Sequence, residues 1–210
     1  MESSSYWILF FSAAFAINIS PGPDLIYILS KTIAQGRKIG FASSLGVCCG
    51  ALVHVFAAAL GLSAILATSA IAFSGVKYVG AAYLIYLGIK ALRSNGATFD
   101  KFKKNGAETT AWKAFKQGTL IDILNPKVAI FFMAFLPQFI RPERGSNGVQ
   151  MLILGFLVIL VAIVVEFSVV LTAAQTTNFF RNNRRCAVWL DRILGTVLVG
   201  LGIRLAFIER

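Results

Sequence analysis

Six apolar runs dominate this sequence and limit what it can fold into. They span residues 6–30, 39–66, 71–92, 118–139, 149–172 and 188–207. Each contains about 20 to 28 residues, which is enough for an α-helix to cross a hydrocarbon core of about 30 Å. No run shows the long apolar–polar alternation of a membrane β-barrel strand. The sequence therefore predicts an all-α integral membrane protein with six transmembrane helices.

The composition excludes the common soluble classes. Hydrophobic residues make up 57% of the chain and charged residues only 14%, whereas a soluble domain is about half apolar and about a quarter charged. Three cysteines in 210 residues do not indicate a disulfide scaffold. The net charge of +11 would suggest nucleic acid in a soluble protein. Here the Lys and Arg residues lie between apolar runs, so we expect a lipid bilayer and no nucleic-acid partner.

The distribution of basic residues predicts the orientation. The chain begins Met-Glu-Ser-Ser-Ser, without the Lys or Arg of a signal peptide, so we expect the first helix to be retained. Twelve Lys and Arg residues fall in the loops on one side of the predicted helices, and three fall on the other side. The positive-inside rule then places both termini outside the cytoplasm.

A polar stretch at residues 93–117 divides the chain into two groups of three helices, residues 1–92 and 118–210. Because three is an odd number of crossings, the second group enters the membrane from the opposite face. If the groups share a fold, they form an inverted repeat. We therefore expect one transporter domain built from two repeats and a cytoplasmic linker.

Prolines interrupt the first helix of each group at matching places. Ser20-Pro21-Gly22-Pro23 breaks the first run and Asn125-Pro126-Lys127 breaks the fourth, and Pro21 and Pro126 are 105 residues apart. Proline removes a backbone N–H and frees carbonyls, which the membrane interior tolerates only against protein or a water-filled cavity. The half-helix after a break points its N–H groups at the bilayer centre, which suits a substrate carboxylate. The alternative is two plain proline kinks.

These breaks supply the predicted substrate site. Its residues are Pro21, Gly22, Pro23, Asp24, Asn125, Pro126 and Lys127. Asp24 and Lys127 directly follow the breaks and are suited to bind the ammonium and carboxylate of a zwitterion. They are equally suited to bind each other, and Asp24 also suits the first turn of its half-helix.

Three further ionisable residues lie at membrane depth: His54, Asp122 and Glu166. Glu166 lies on a stripe of small residues with Gly155, Ala162 and Ala173, which indicates a packed, inward face. We predict Glu166 as the proton-coupling carboxylate, with Asp24 and His54 as further candidates. The alternatives are a buried neutral Glu166 and a structural His54. One histidine and no carboxylate cluster predict no metal site.

No enzymatic or cofactor signature occurs, so the sequence predicts neither catalysis nor a cofactor. Cys48 and Cys49 are adjacent in one helix and Cys186 lies by a loop, so we interpret all three as packing residues or reduced thiols. Three other functions remain as alternatives: a membrane thiol-redox carrier, a divalent-cation exporter and a non-transporting subunit. The cysteine positions and the lack of metal ligands disfavour the first two.

Several motifs together resemble a known family. Ile19-Ser20-Pro21-Gly22-Pro23-Asp24 is similar to the N-terminal signature of the LysE/RhtB amino-acid exporters. Residues 46–54, the stretch from Lys77 to Gly88, Leu124-Asn125-Pro126-Lys127 and Phe135-Leu136-Pro137-Gln138-Phe139 agree in the same order.

The resemblance implies proton-driven export of amino acids or close derivatives across the bacterial inner membrane, which would put both termini in the periplasm. It is closer to the branch for neutral amino acids such as homoserine and threonine or for homoserine lactone. It carries the motif roles over to Pro21, Gly22, Pro23, Asn125, Pro126 and Lys127. Asp24 and Asp122 depart from the family pattern, which commonly has neutral amides there, and this affects the expected substrate preference. The glycine faces also permit a homodimer.

Overall fold

The computed structural model describes residues 4–62, 70–95 and 109–207, and within those ranges the chain is helical and contains no strand. The helices are α1 (Ser4–Ile19), α2 (Pro23–Gln35), α3 (Arg37–Ala57), α4 (Ala70–Leu92), α5 (Ala111–Ile123), α6 (Pro126–Phe139), α7 (Asn147–Asn182) and α8 (Arg184–Phe207). A π-helical turn, Ala58–Leu62, extends α3, and another, Phe131–Phe135, lies within α6. A short 3-10 turn, Pro142–Arg144, precedes α7.

Both predicted breaks are present as sharp bends. The axes of α1 and α2 differ by 54°, and those of α5 and α6 by 49°. Each pair is long and apolar enough to cross a membrane as one broken span. The helices α3, α7 and α8 are each long and apolar enough to cross it as single helices. These five agree with the predicted crossings. The helix α4 coincides with the predicted run 71–92 but is not among the five, so its crossing stays a prediction.

Some predicted boundaries were wrong. The helix α7 has 36 residues, so at 1.5 Å per residue it is about 54 Å long and extends well beyond a hydrocarbon core. Asn183 alone separates α7 from α8, so Arg184 and Arg185 begin a helix rather than occupy a loop. The predicted linker at 93–117 is helical from Ala111, because Thr110 accepts a hydrogen bond from the backbone N–H of Lys113 and caps α5.

The burial pattern is that of a protein in lipid. Large apolar side chains such as Phe15, Leu60 and Leu124 are more than half exposed. The buried polar side chains include Asp24, His54, Asp122, Asn125, Lys127, Glu166 and Asp191, each at most 8% exposed. Apolar groups cover the outside while polar groups meet inside. This arrangement suits a hydrocarbon solvent and a polar pathway through the bundle.

Glycines allow the central helices to approach closely. A Cβ at Gly50 would lie 2.7 Å from Asp122 Cβ, and one at Gly118 would lie 2.5 Å from Ser43 O, so α3 and α5 pack almost backbone to backbone. Helical periodicity places Gly46, Gly50, His54, Ala57 and Gly61 on one face of α3. Gly46, Gly50 and His54 are buried against α5, whereas Ala57 and Gly61 are exposed.

Some helix contacts have a counterpart when the two halves of the chain are exchanged. The first half-helix α1 packs on α7, and its counterpart α5 packs on α3. The exchange swaps α3 with α7 and α4 with α8, so the α3–α7 contact and the α4–α8 contact are each their own counterpart. In the second pair Gly88 faces Gly195 O and Gly195 faces Gly88 O, each at 2.7 Å from the position a Cβ would take.

An aromatic cluster fills one side of the bundle where α1 meets α6. Phe10 contacts Phe139 edge to face, and Phe135 lies between Phe131 and Phe139. These side chains are at most 4% exposed. Tyr6 adds a hydrogen bond of 2.7 Å to the carbonyl of Phe139.

Candidate functional site

The two helix breaks meet at the ammonium group of Lys127. Its Nζ lies 2.9 Å from Asp24 Oδ2 and donates hydrogen bonds to the carbonyls of Ile17 and Ser20, both at 3.1 Å. Ile17 and Ser20 lie at the C-terminal end of α1, where carbonyls are left without helical partners and the dipole favours a cation. One ammonium therefore joins the end of α1, the first turn of α2 and the start of α6.

The local sequence explains this geometry. Pro23 and Pro126 occupy the first positions of α2 and α6, where the missing N–H of proline costs nothing. Asn125 caps α6, because its Oδ1 accepts a hydrogen bond of 3.1 Å from the backbone N–H of Lys127. Gly22 precedes α2 and has no room for a side chain, since a Cβ there would lie 2.5 Å from Asp24 Oδ1.

A small cavity that buried side chains largely enclose adjoins the ion pair. Its volume of about 20 Å³ is enough for about one water molecule. Asp24, Asp122, Lys127 and Glu166 contribute to its wall, together with apolar residues such as Phe132. Three carboxyl groups therefore surround this space with one lysine. The cavity is too small for an amino acid in this conformation.

Glu166 is held by α3. Its Oε2 accepts a 2.6 Å hydrogen bond from Ser44 Oγ, and Cys48 Sγ lies 3.6 Å away. Glu166 is 4% exposed and, as predicted, faces the bundle with the small residues of α7. Among the described residues the one ion pair is that of Lys127 with Asp24, so Glu166 has no cationic partner there.

His54 lies apart from this cavity. Its Nε2 is 2.9 Å from the backbone carbonyl of Asp122, and its ring stacks on Phe132. A carbonyl only accepts, so Nε2 is the donor in this bond. The contact holds the end of α5 in place and corresponds to the structural alternative for His54.

Two buried polar groups at the second break have no hydrogen-bond partner among the described residues: Asp122 Oδ2 and Asn125 Nδ2. Both side chains are 1% exposed. Because Asn125 Oδ1 is committed to the cap of α6, its Nδ2 is fixed as an unused donor. Buried groups of this kind are costly unless a ligand or water completes them.

A second cavity, of about 730 Å³, adjoins the breaks. Its volume is in the range of small-molecule sites. The wall contains the predicted residues Pro21, Gly22, Pro23, Asn125, Pro126 and Lys127, and also Tyr83, Tyr86, Lys90, Arg93 and Asp191. Lys127 lines both cavities, whereas Asp24 lines only the smaller one.

The structure brings all the predicted substrate residues and Glu166 to these two cavities. It also adds residues that the sequence had not indicated, notably Ser44 and Asp191. Asp191 was visible as an acid within an apolar helix, but the adjacent Arg192 suggested a surface anchor. The three cysteines are free, and no group of three His, Cys, Asp or Glu residues in the described ranges is arranged to hold a metal ion.

The family model for LysE-type translocators matches residues 15–208, nearly the whole chain. The chain belongs to the LysE-type translocator family. This translocator is 30% identical over 211 residues to an uncharacterized membrane protein of Pseudomonas aeruginosa, covering 97% of this chain and 95% of that protein. It is 28% identical over 207 residues to the leucine efflux protein of Salmonella typhimurium, covering 98% of this chain and 96% of that one.

A further relative is the leucine efflux protein of an Enterobacter species, 30% identical over 193 residues, with 92% of this chain and 91% of the relative covered. No solved structure matches this translocator. The family and the names of these relatives indicate a membrane transporter rather than an enzyme.

Proposed function

We propose that this protein is a secondary active exporter of neutral amino acids or close derivatives across the bacterial inner membrane, driven by proton antiport. The observation that carries the proposal is the buried Lys127–Asp24 pair, which ties both broken helices together next to a small and a larger cavity. Transporters built from inverted repeats place their sites at such breaks. The leucine efflux proteins among its relatives support an amino-acid substrate.

The Lys127–Asp24 ion pair is the contact that changes when substrate binds. In the present conformation all three N–H donors of the Lys127 ammonium have partners in Asp24, Ile17 and Ser20. A substrate carboxylate that approaches Lys127 competes with Asp24 for one of these donors. Loosening that contact frees α2 to move relative to α6. Binding of substrate and movement of the broken helices are thereby coupled.

Glu166 carries the proton. It faces the enclosed cavity with Asp122 and has no cation to balance a negative charge among the described residues. A carboxyl group in such a place is less costly when it is protonated. When the enclosed cavity opens, water reaches Glu166 and the proton can leave. Asp24 and Asp122 line the same space and are available to share this exchange.

Access alternates between the two faces. The larger cavity includes residues 90–95, at the end of α4 that the basic residues assign to the cytoplasm. The aromatic cluster around Phe135 closes the opposite side. We therefore assign this conformation to a cytoplasm-facing state. The paired contacts α1–α7 and α5–α3 support an inverted repeat, in which the opposite state is reached by exchanging the roles of the two halves.

Transport in proteoliposomes tests this proposal. Vesicles containing the purified protein are preloaded with a panel of labelled amino acids and diluted into buffer with and without an imposed pH gradient. We expect gradient-dependent efflux of a few neutral amino acids, leucine among them. Correctly folded protein that moves no amino acid and no derivative, including homoserine lactone, would contradict the proposal.

A further inference from the structure

We propose that Asp191 and Asn125 recognise the two charged ends of an α-amino acid within the larger cavity. Asp191 binds the ammonium group and Asn125 Nδ2 binds the carboxylate. This assignment rests on the proposed function, because it takes an amino acid as the substrate. It moves ammonium recognition from Asp24, where the sequence suggested it, to a residue on α8.

Asp191 has the character of a binding residue. It lines the cavity and is 1% exposed, and neither carboxylate oxygen has a hydrogen bond within the described part of the chain. The Ser94 side chain is a polar neighbour of Asp191, but no contact between them meets the distance and angle limits of a hydrogen bond. No salt bridge joins Asp191 to a described Lys or Arg. An ionisable group in a membrane helix with its acceptors unused is costly unless a ligand completes it.

Asn125 supplies the complementary group on the same cavity. Its Oδ1 caps α6, so Nδ2 is left as a buried donor without a partner among the described residues. Lys127 lies two residues further on and lines the same wall. A carboxylate placed at Asn125 Nδ2 therefore occupies a cavity that Lys127 also lines. An acceptor on α8 and a donor at the second break match the two ends of a zwitterion.

The other acids are less suited to the ammonium group. Asp24 Oδ1 and Oδ2 both contact Lys127. Asp122 and Glu166 line the enclosed cavity, which holds only about one water molecule. Lys90 and Arg93 also face the larger cavity, but both are exposed, so they attract anions at its mouth rather than fix a bound substrate.

The remaining wall indicates the class of side chain. Ile26, Tyr83, Tyr86 and Leu87 contribute apolar and aromatic surface to the same cavity. An apolar amino-acid side chain gains from contact with such surface, whereas a basic side chain would find no acid in this wall besides Asp191. The site therefore fits an α-amino acid with an uncharged, apolar side chain.

Three related compounds distinguish the ammonium contact at Asp191 from the carboxylate contact at Asn125. Leucine has both charged ends, 4-methylpentanoate lacks the amino group, and leucine amide lacks the carboxylate. Each is tested as a competitor of labelled leucine exchange in proteoliposomes. The variants are Asp191→Asn, Asn125→Asp, which keeps the capping oxygen but removes the donor, and Glu143→Gln as an exposed control. If the wild-type protein exchanges a different α-amino acid, that compound and its two analogues replace these three.

We expect Asp191→Asn to weaken competition by leucine about tenfold or more, since a charge-assisted hydrogen bond is lost, and to leave 4-methylpentanoate unchanged. Asn125→Asp should weaken leucine and 4-methylpentanoate but spare leucine amide. Asp191→Glu should retain part of the leucine affinity. Equal losses for leucine and 4-methylpentanoate in Asp191→Asn, or no loss in an active protein, would overturn the assignment. A wild-type protein that exchanges no amino acid would instead contradict the proposed function.

Discussion

Lys127 Nζ lies 2.9 Å from Asp24 Oδ2, and this ion pair joins the second half of one broken helix to the second half of the other. Lys127 is 103 residues from Asp24 in sequence, and both side chains are almost completely buried. The contact therefore depends on the meeting of the two breaks and fixes their relative position.

Removing one partner of this pair should destabilise the fold more than removing both. Lys127→Met leaves the Asp24 carboxylate buried without its cation, a change that typically costs about 3–5 kcal/mol. The double variant with Asp24→Asn removes both charges and should recover much of that loss. Equilibrium unfolding in mixed micelles measures the four free energies of the cycle. Equal stability of Lys127→Met and the wild type would show that the pair contributes nothing to the fold.

Gly22→Ala should disturb the site without changing any charge. The new Cβ would lie 2.5 Å from Asp24 Oδ1 and 2.9 Å from Lys127 Nζ, so the pair must shift. We expect a stability loss of about 1–3 kcal/mol, as for other overpacked sites, and reduced efflux. Gly200→Ala is a matched control on α8, because a Cβ there meets no atom within 4 Å. Normal efflux from Gly22→Ala would mean that the close contact with Gly22 is not needed.

Glu166→Gln should separate substrate exchange from proton coupling. The amide still accepts a hydrogen bond from Ser44 but cannot release a proton at neutral pH. We expect the variant to reach the membrane and to exchange labelled for unlabelled amino acid, while efflux driven by a pH gradient is lost. Glu143→Gln, at an exposed turn, should behave like the wild type. Undiminished pH-driven efflux from Glu166→Gln would remove Glu166 from the mechanism.

A variant without cysteines should remain active. Cys48, Cys49 and Cys186 are free thiols, and Cys48 contacts Glu166 only at 3.6 Å. We expect replacement of all three by alanine to retain most of the efflux, with some loss from the small hole left at Cys48. Efflux assays with equal amounts of reconstituted protein check this. Complete loss of activity together with a normal fold would favour the thiol-redox alternative.

The sequence was sufficient to predict the bends, because proline acts locally: Pro23 and Pro126 each begin a helix where the chain was expected to break. It was also sufficient to predict that Glu166 points into the bundle, since helical periodicity places that residue on the same face as Gly155, Ala162 and Ala173. The end of α7 was not predictable in this way. Polar residues after the apolar run suggested a loop, but the helix continues to Asn182.

The partners within the site depend on tertiary contacts that no local pattern encodes. Asp24 and Lys127 were equally suited to bind a zwitterion or each other, and only the meeting of α2 and α6 selects the ion pair. The Ser44–Glu166 hydrogen bond spans 122 residues for the same reason. Asp191 had no visible relation to the breaks until α8 placed it on the cavity that they line.

Simultaneous recording of amino-acid and proton movement tests the central claim most directly. Proteoliposomes are loaded with leucine and a trapped pH-sensitive dye, the membrane potential is clamped, and the vesicles are diluted into leucine-free buffer of equal pH. Proton antiport predicts that leucine efflux acidifies the interior, and that protein-free vesicles and the Glu166→Gln variant show no acidification. Leucine efflux through the wild-type protein without any change in internal pH would contradict the account.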